Sequence, residues 1–446
     1  MKRLILFVIM IAMGQMIYSC SRATQSDEEL SVNFADSQLQ AQVEDLQEKI
    51  DDNPNNQEYR RQLATLLHEN DRGLQAIKVL ENGFAEDPNN IESKYLYGQI
   101  ALDLGDRVKG YKAYKEVLLS SRGNDYLDRI APEFVDAFDI QTVVNTEANE
   151  AFGNFSPDGN TIIYQSDENG KWDIFTYDLA AGTQSPVITS DAHDEHPAFS
   201  NDGSYIVYTS TKDDHRDVSY NQKLREIYRY DIEADQYLNM TTNGSNDWRP
   251  RYDNTGKYIV FVSERNDLRE VNFLQKKGSI FYMENDGRFQ LEVTSHDYND
   301  GNPVIMPGST EEEGIIYFDS DRNGSYDIFR TDFKGEDLKQ ITFNPDWDDV
   351  GPDINTFADK IVFYSNRNGN YELYLMNMDG SSQQKITSNP AKDLNPIFSP
   401  DGKKVLFHSD RNGNFDLYML DLTSQQRDYT LSEVISKIDR SLNEVQ

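Results

Sequence analysis

One cassette appears twice, at the two ends of the C-terminal two-thirds of this chain, and it constrains the fold more than any other feature. Near the C-terminus it runs Phe398-Ser399-Pro400-Asp401-Gly402, the apolar stretch Val405-Leu406-Phe407, Ser409-Asp410-Arg411-Asn412-Gly413, and then Phe415-Asp416-Leu417-Tyr418. The earlier copy runs Phe155-Ser156-Pro157-Asp158-Gly159, Ile162-Ile163-Tyr164, Ser166-Asp167-Glu168-Asn169-Gly170 and Trp172-Asp173-Ile174-Phe175. Weaker copies begin at Phe199, Tyr252, Ile305 and Ile354. Each unit alternates short apolar strands with tight turns, and no unit can bury its own faces. Repetition at a fixed period therefore outranks any local signal, and six copies imply an all-β propeller of six blades.

Around the cassette other elements recur in order. An Ile-Thr pair leads through an acidic stretch to a proline, as from Ile188-Thr189 to Pro197, Ile341-Thr342 to Pro352 and Ile386-Thr387 to Pro396. The turn Asp253-Asn254-Thr255-Gly256 replaces Ser-Pro-Asp-Gly in the third copy, and Met306-Pro307-Gly308 interrupts the fourth. The ordered set resembles the TolB-like, WD-related propeller repeats of bacterial envelope proteins, over residues 139–429. Such a ring must hide its last edge. Gln141-Thr142-Val143-Val144-Asn145 stands before its blade as Gln384-Lys385-Ile386-Thr387-Ser388 stands before the last, so it is expected as the outer strand of blade six beside residues 414–422. The competing closure uses Asp428-Tyr429-Thr430-Leu431, ahead of a C-terminal tail at 430–446.

Residues 38–138 follow a different period. Asn53-Pro54-Asn55-Asn56 recurs as Asp87-Pro88-Asn89-Asn90, and apolar residues fall at helical spacing: Leu63, Leu66, Leu67; Ala76, Ile77, Leu80; Tyr97, Ala101; Tyr114, Val117, Leu118. Gly98, Tyr114 and Pro88 make this region resemble tetratricopeptide repeats, with Lys94 and Gly110 departing from that pattern, and 38–52 and 123–138 are expected as flanking helices. The fold class is thus multidomain, a short α-helical tetratricopeptide-like solenoid followed by the propeller. Ahead of it, Lys2-Arg3 and the apolar Leu4–Met13 read as a targeting segment ending in Ile17-Tyr18-Ser19-Cys20. That end resembles a bacterial lipobox, which implies lipidation of Cys20 and a lipid-anchored place at the outer membrane, with 21–37 as an acidic tether.

Cys20 is the single cysteine, so no internal disulfide or cysteine metal site can form. With 77 Asp plus Glu against 43 Lys plus Arg, the net charge is −34, and nucleic acid is excluded as a partner. Glu150, Asp194, Glu195, Asp247, Asp300, Asp348, Asp349 and Asp393 precede the innermost strands and are expected to ring the channel mouth, either locking blades or attracting a cation or basic peptide end. Asp321-Arg322-Asn323-Gly324 and Asp410-Arg411-Asn412-Gly413 echo a calcium loop, but Asp332 and Asp421 stand where its glutamate belongs, so a turn is expected. His193, His196 and His296 fall in mouth connections, while no Gly-x-Ser-x-Gly, His-Glu-x-x-His or phosphate loop occurs.

The expected function is accordingly a non-enzymatic scaffold for other envelope proteins, with no catalytic residue, cofactor or metal and the membrane reached only through Cys20. The pairing of repeats with a propeller resembles envelope lipoproteins of Bacteroidetes-like bacteria, including a subunit associated with the type IX secretion system. The alternative is a propeller lyase or hydrolase acting on an acidic saccharide with a metal at the mouth. Two long hairpin insertions, Lys212–Arg225 and Arg265–Gly278, are the expected docking loops: they carry Arg216, Tyr220, Lys223 and Arg225, then Arg265, Arg269, Phe273, Lys276 and Lys277.

Overall fold

The structure, a computed structural model, describes residues 34, 36–253, 255–271, 275–306, 314–355, 357–424 and 429–444. The targeting segment, Cys20, nearly all of the tether, Phe273 and Asp428 lie outside the described residues. The chain divides into two compact units at Ala113/Tyr114.

The first unit is helical: α1 (Ser37–Asp52), α2 (Gln57–His68), α3 (Gly73–Glu86), α4 (Ile91–Asp103) and the start of α5 (Arg107–Leu118). The repeated Asn-rich tetrapeptides begin helices. Asn56 accepts the Glu58 N–H at 3.0 Å and Asn90 accepts the Ser93 N–H at 3.1 Å, each satisfying an amide that the first helical turn leaves unpaired. Val43, Leu63, Leu67, Ala76, Leu80 and Ile100 form the core between consecutive helices. At Gly110 an added Cβ would meet Leu102 Cδ2 at 2.5 Å, so the departure from alanine there permits close helix packing.

In the second unit, six four-stranded antiparallel sheets form the blades. Their innermost strands are Glu150–Phe155, Asp194–Phe199, Asp247–Tyr252, Asp300–Met306, Asp349–Asn355 and Asp393–Phe398. Five blades take their strands in sequence order. The sixth takes its outer strand from Asp139–Val144, which pairs antiparallel with Asp416–Asp421 in the register Gln141↔Met419. The N-terminal closure is therefore the one adopted, and Val144 is buried against Leu406 and Leu417. Residues 430–446 are not a plain tail. Leu431–Glu444 forms a C-terminal helix, whose Val434, Ile438 and Leu442 recur every four residues and are buried, while Asp439 pairs with Lys115.

The recurring motifs have mechanical roles. In the Ser-Pro-Asp-Gly turn, the Ser156 hydroxyl donates to Asp158 at 2.6 Å and accepts the Thr161 N–H, while Gly159 takes φ +72°. The threonine of the Ile-Thr pair is buried and accepts the third strand's first apolar N–H, as Thr342 does from Ile328 and Thr387 from Leu373, both at 2.9 Å. Residues 133–137 are fastened to the edge of blade five: Ala137 N–H donates to the Ile386 carbonyl, Ser388 N–H to Asp136, and Lys385 pairs with Glu133 at 2.8 Å.

Candidate functional site

Every innermost strand starts with a carboxylate and then breaks its register at the next two residues. The shifts fall between Ala151 and Asn154, Glu195 and Ala198, Trp248 and Arg251, Gly301 and Val304, Val350 and Asp353, and Leu394 and Ile397. At each bulge one residue adopts left-handed backbone: Phe152, His196, Arg249, Asn302, Gly351 and Asn395, with φ between +46° and +63°. A bulge of this kind re-aims the strand and its side chains. These six residues, with Pro197, Pro250, Pro303, Pro352 and Pro396 beside them, line a small central cavity of about 70 Å³ that is partly open to solvent.

The bulge also corrects the expected carboxylate ring. Glu150, Asp194, Asp247, Asp300, Asp349 and Asp393 are at most 1 % exposed, and none lines the cavity. They turn into their own blades. In blades three to six, the second residue of each Asp-Arg-Asn-Gly-type turn reaches back to them: Arg265 to Asp247 at 2.9 Å, Arg322 to Asp300 at 3.0 Å, Arg367 to Asp349 at 2.7 Å and Arg411 to Asp393 at 3.0 Å. Each arginine also lies over a third-strand ring, with Arg367 4.4 Å from the centroid of Tyr374 and Arg411 4.6 Å from that of Tyr418. The turn that echoes a calcium loop is thus flanked by strands and holds an arginine clamp. Asp348 is not part of the set. It accepts the Tyr326 N–H of the preceding blade at 3.0 Å.

Blades one and two have no such arginine, because Glu168 and Lys212 stand at the clamp position. Glu150 meets only the hydroxyls of Thr146 and Ser166, and burial pushes its carboxyl up to about 7. Asp194 meets Ser190 and Ser210, and burial pushes it up to about 6.

Adjacent blades are laced near the cavity by the residue before the second-strand serine in four blades. Gln165 accepts the His196 N–H at 2.8 Å, Thr209 that of Arg249 at 3.3 Å, Asp319 that of Gly351 at 2.8 Å and His408 that of Phe152 at 3.4 Å. His408 is buried, and desolvation holds its imidazole down to about 3, so it stays neutral and can accept. This lacing was not anticipated, although the Asp-x-x-Pro spacing that marks the bulges repeats visibly in five of six inner strands.

The three mouth histidines are not brought together. His193 stacks on Tyr220 with centroids 4.2 Å apart, His196 lies edge-on to Phe152 at 4.4 Å, and His296 lies 4.0 Å from Glu292 on the surface. Among the described residues no group of three or more His, Cys, Asp or Glu side chains is placed to hold a metal ion.

The two long loops share one frame. Asp-x-Arg-x-Val-x-(Tyr/Phe)-x-Gln-Lys spells both 214–223 and 267–276. Asp214 grips Arg216 at 2.6 Å and accepts the Leu224 N–H at 2.7 Å; Asp267 grips Arg269 at 2.6 Å and accepts the Lys277 N–H at 2.8 Å. Lys223 caps the carbonyls of Asp214 and Arg216, and Lys276 those of Asp267 and Arg269. Arg225 pairs with Glu195 at 3.0 Å and lies over Tyr220, whose hydroxyl also donates to Glu195. The expected basic surface excess is therefore largely spent on bracing the loops, and Lys277 too reaches a carbonyl, that of Asp297. Leu268 projects at 86 % exposure between frame residues.

Residues 350–435 match the TolB beta propeller domain family. Among solved structures the chain is similar to a protein described as a TolB from Agrobacterium tumefaciens, at 19% identity and TM-score 0.47, over 63% of this chain and 96% of that one. It is also similar to TolB from Acinetobacter baumannii, at 19% identity and TM-score 0.43, over 64% of this chain and 66% of that one. An oligogalacturonate lyase from Vibrio parahaemolyticus gives 13% identity and TM-score 0.43, over 65% and 95% of the two chains. No curated protein matches the sequence.

Proposed function

We propose that this chain is a non-enzymatic binding scaffold of the bacterial cell envelope, anchored through lipid on Cys20, which docks a partner protein on the propeller face that carries the two long loops. The observation that supports this reading is the duplicated, internally braced frame on adjacent blades. Loops this long are ordinarily mobile, and a loop ordered before binding gives up less conformational entropy on docking. The frame residues alternate with exposed positions, His215, Asp217, Ser219 and Asn221 in one loop and Leu268 and Glu270 in the other. The helical unit, read as tetratricopeptide-like from its equivalent Asn caps, adds a second surface of the kind that repeat proteins use for partners.

The test is affinity capture from native envelope with the intact protein and with a variant in which both loops are replaced by Asn-Gly turns. The scaffold reading expects a stoichiometric partner on the intact protein and none on the folded double-loop variant. Undiminished capture would move the docking site away from these loops. The anchor is tested separately: Cys20→Ala should shift the protein from the membrane fraction to the soluble one, and unchanged partitioning would remove the lipid anchor.

A further inference from the structure

The cavity at the propeller axis contains one feature that the docking reading does not use. Most described arginines of the propeller meet a carboxylate, among them Arg225, Arg251, Arg265, Arg322, Arg367 and Arg411. Arg249 does not, among the described residues. It lines the cavity, lies 4.9 Å over the Phe152 ring, and its Nη1 stands 3.4 Å from Asn395 Oδ1. Asp319 is near enough for its carboxyl to respond to Arg249, but its own bonds are to Asn302 and to the Gly351 N–H of the next blade. In a chain of net charge −34, a half-buried guanidinium with no carboxylate in direct contact is a charge only partly answered.

A second observation concerns a residue that lines the same cavity. His196 Nδ1 is buried with no hydrogen-bond partner. Burial and the charges of Arg249 and Arg225 keep this imidazole neutral, so one of its nitrogens carries a proton to give. Phe152, His196 and Arg249 also hold left-handed backbone that a glycine or asparagine adopts at lower cost, as Gly351, Asn302 and Asn395 do at the same register. Backbone strain kept for particular side chains is a signature of sites rather than of scaffolding. The remaining lining is mainly apolar, with five prolines, Ala198 and Ile397, beside Asn154 and an Arg251 already paired with Asp353 at 2.8 Å.

We infer that the central cavity is a binding site for a small monocarboxylate with a compact apolar body. Its carboxylate meets the Arg249 guanidinium and the His196 ring N–H, and its apolar part lies against Phe152 and the proline ring. A single guanidinium answers a single negative charge, and its planar fork matches a carboxylate in particular.

The probe is sodium butyrate, titrated calorimetrically into the full-length protein at constant ionic strength, with butyramide as its neutral isostere. Saturable binding of one butyrate per chain is expected, with no saturable binding of butyramide. Arg249→Asn installs the residue that blades four and six already carry at this register, so it should keep the fold and weaken butyrate by about tenfold or more, the loss of a charge-assisted pair. Absence of saturable butyrate binding, equal binding of butyramide, or undiminished binding by folded Arg249→Asn would each overturn the site.

Discussion

At the residue scale, the difference between blades lies in what answers the first carboxylate of the inner strand. In blade six Asp393 is fully buried and Arg411 supplies both the counter-charge and two hydrogen bonds. Removing the cation alone strands a buried charge, so Arg411→Ala should cost about 3–5 kcal/mol in urea unfolding, and adding Asp393→Asn should recover part of that loss. Glu150 in blade one has no cation, and the sign of its pH effect is opposite to that of a salt-bridged acid. Its carboxyl titrates near 7 in the folded chain, above its unfolded value. The stability it contributes is complete when it is protonated in both states and is lost as pH rises toward 7 and beyond. Glu150→Gln should therefore be the more stable protein at pH 8, by about 1–2 kcal/mol, with the advantage vanishing by about pH 5. An advantage that grows toward acid would contradict this assignment. The repeat pattern announced these carboxylates but not where they point. Alternation along a regular strand predicts a side chain's face, and a bulge two residues later breaks the alternation in a way no residue type enforces, since Phe152 and Arg249 occupy backbone that composition would reserve for glycine or asparagine.

At the scale of elements, the closing strand was readable because its phase relative to the next blade matches that of Gln384–Ser388, and strand phase survives changes in individual side chains. The structure pairs it from Asp139, slightly earlier than the sequence pattern suggests. Val144 is its buried anchor, 3 % exposed between blades six and one. Val144→Asp should cost at least about 3 kcal/mol by burying an unpaired charge, and a chain begun at residue 147 should be poorly soluble because it exposes the edge Asp416–Asp421. If that shortened chain folds as stably as one begun at 138, strand closure is not what holds blade six. The C-terminal helix was equally visible in the spacing Val434, Ile438, Leu442, but it has no proline or glycine to mark its limits and follows a complete repeat, so a tail was the simpler reading. The loop frame was in view as well. Its two copies lie between the strands that define the period, and a search keyed to strands and turns passes over a repeat inside an insertion.

For the molecule as a whole, closure makes the six blades one cooperative ring, while the charge works against compactness. With net charge −34, surface carboxylates repel one another over distances that salt screens. The urea midpoint should rise when sodium chloride is raised from about 10 to about 200 mM, since exposed repulsion is screened more strongly than the buried Arg–Asp pairs. A falling midpoint would mean that exposed attractive pairs dominate the balance.

The twin loops have a further consequence, for diversification. Because each is held by its own Asp, Arg and Lys rather than by its neighbours alone, the positions between them carry little of the loop's support, Ser219, whose hydroxyl donates to Gln222, excepted. In sequence, His215, Asp217, Ser219 and Asn221 stand where the second copy has Leu268, Glu270, Asn272 and Leu274. The ten-residue unit is in effect a portable cartridge, present in two neighbouring hairpins. A lineage, or a protein engineer, can therefore rewrite what this face recognises without rewriting the wheel that carries it.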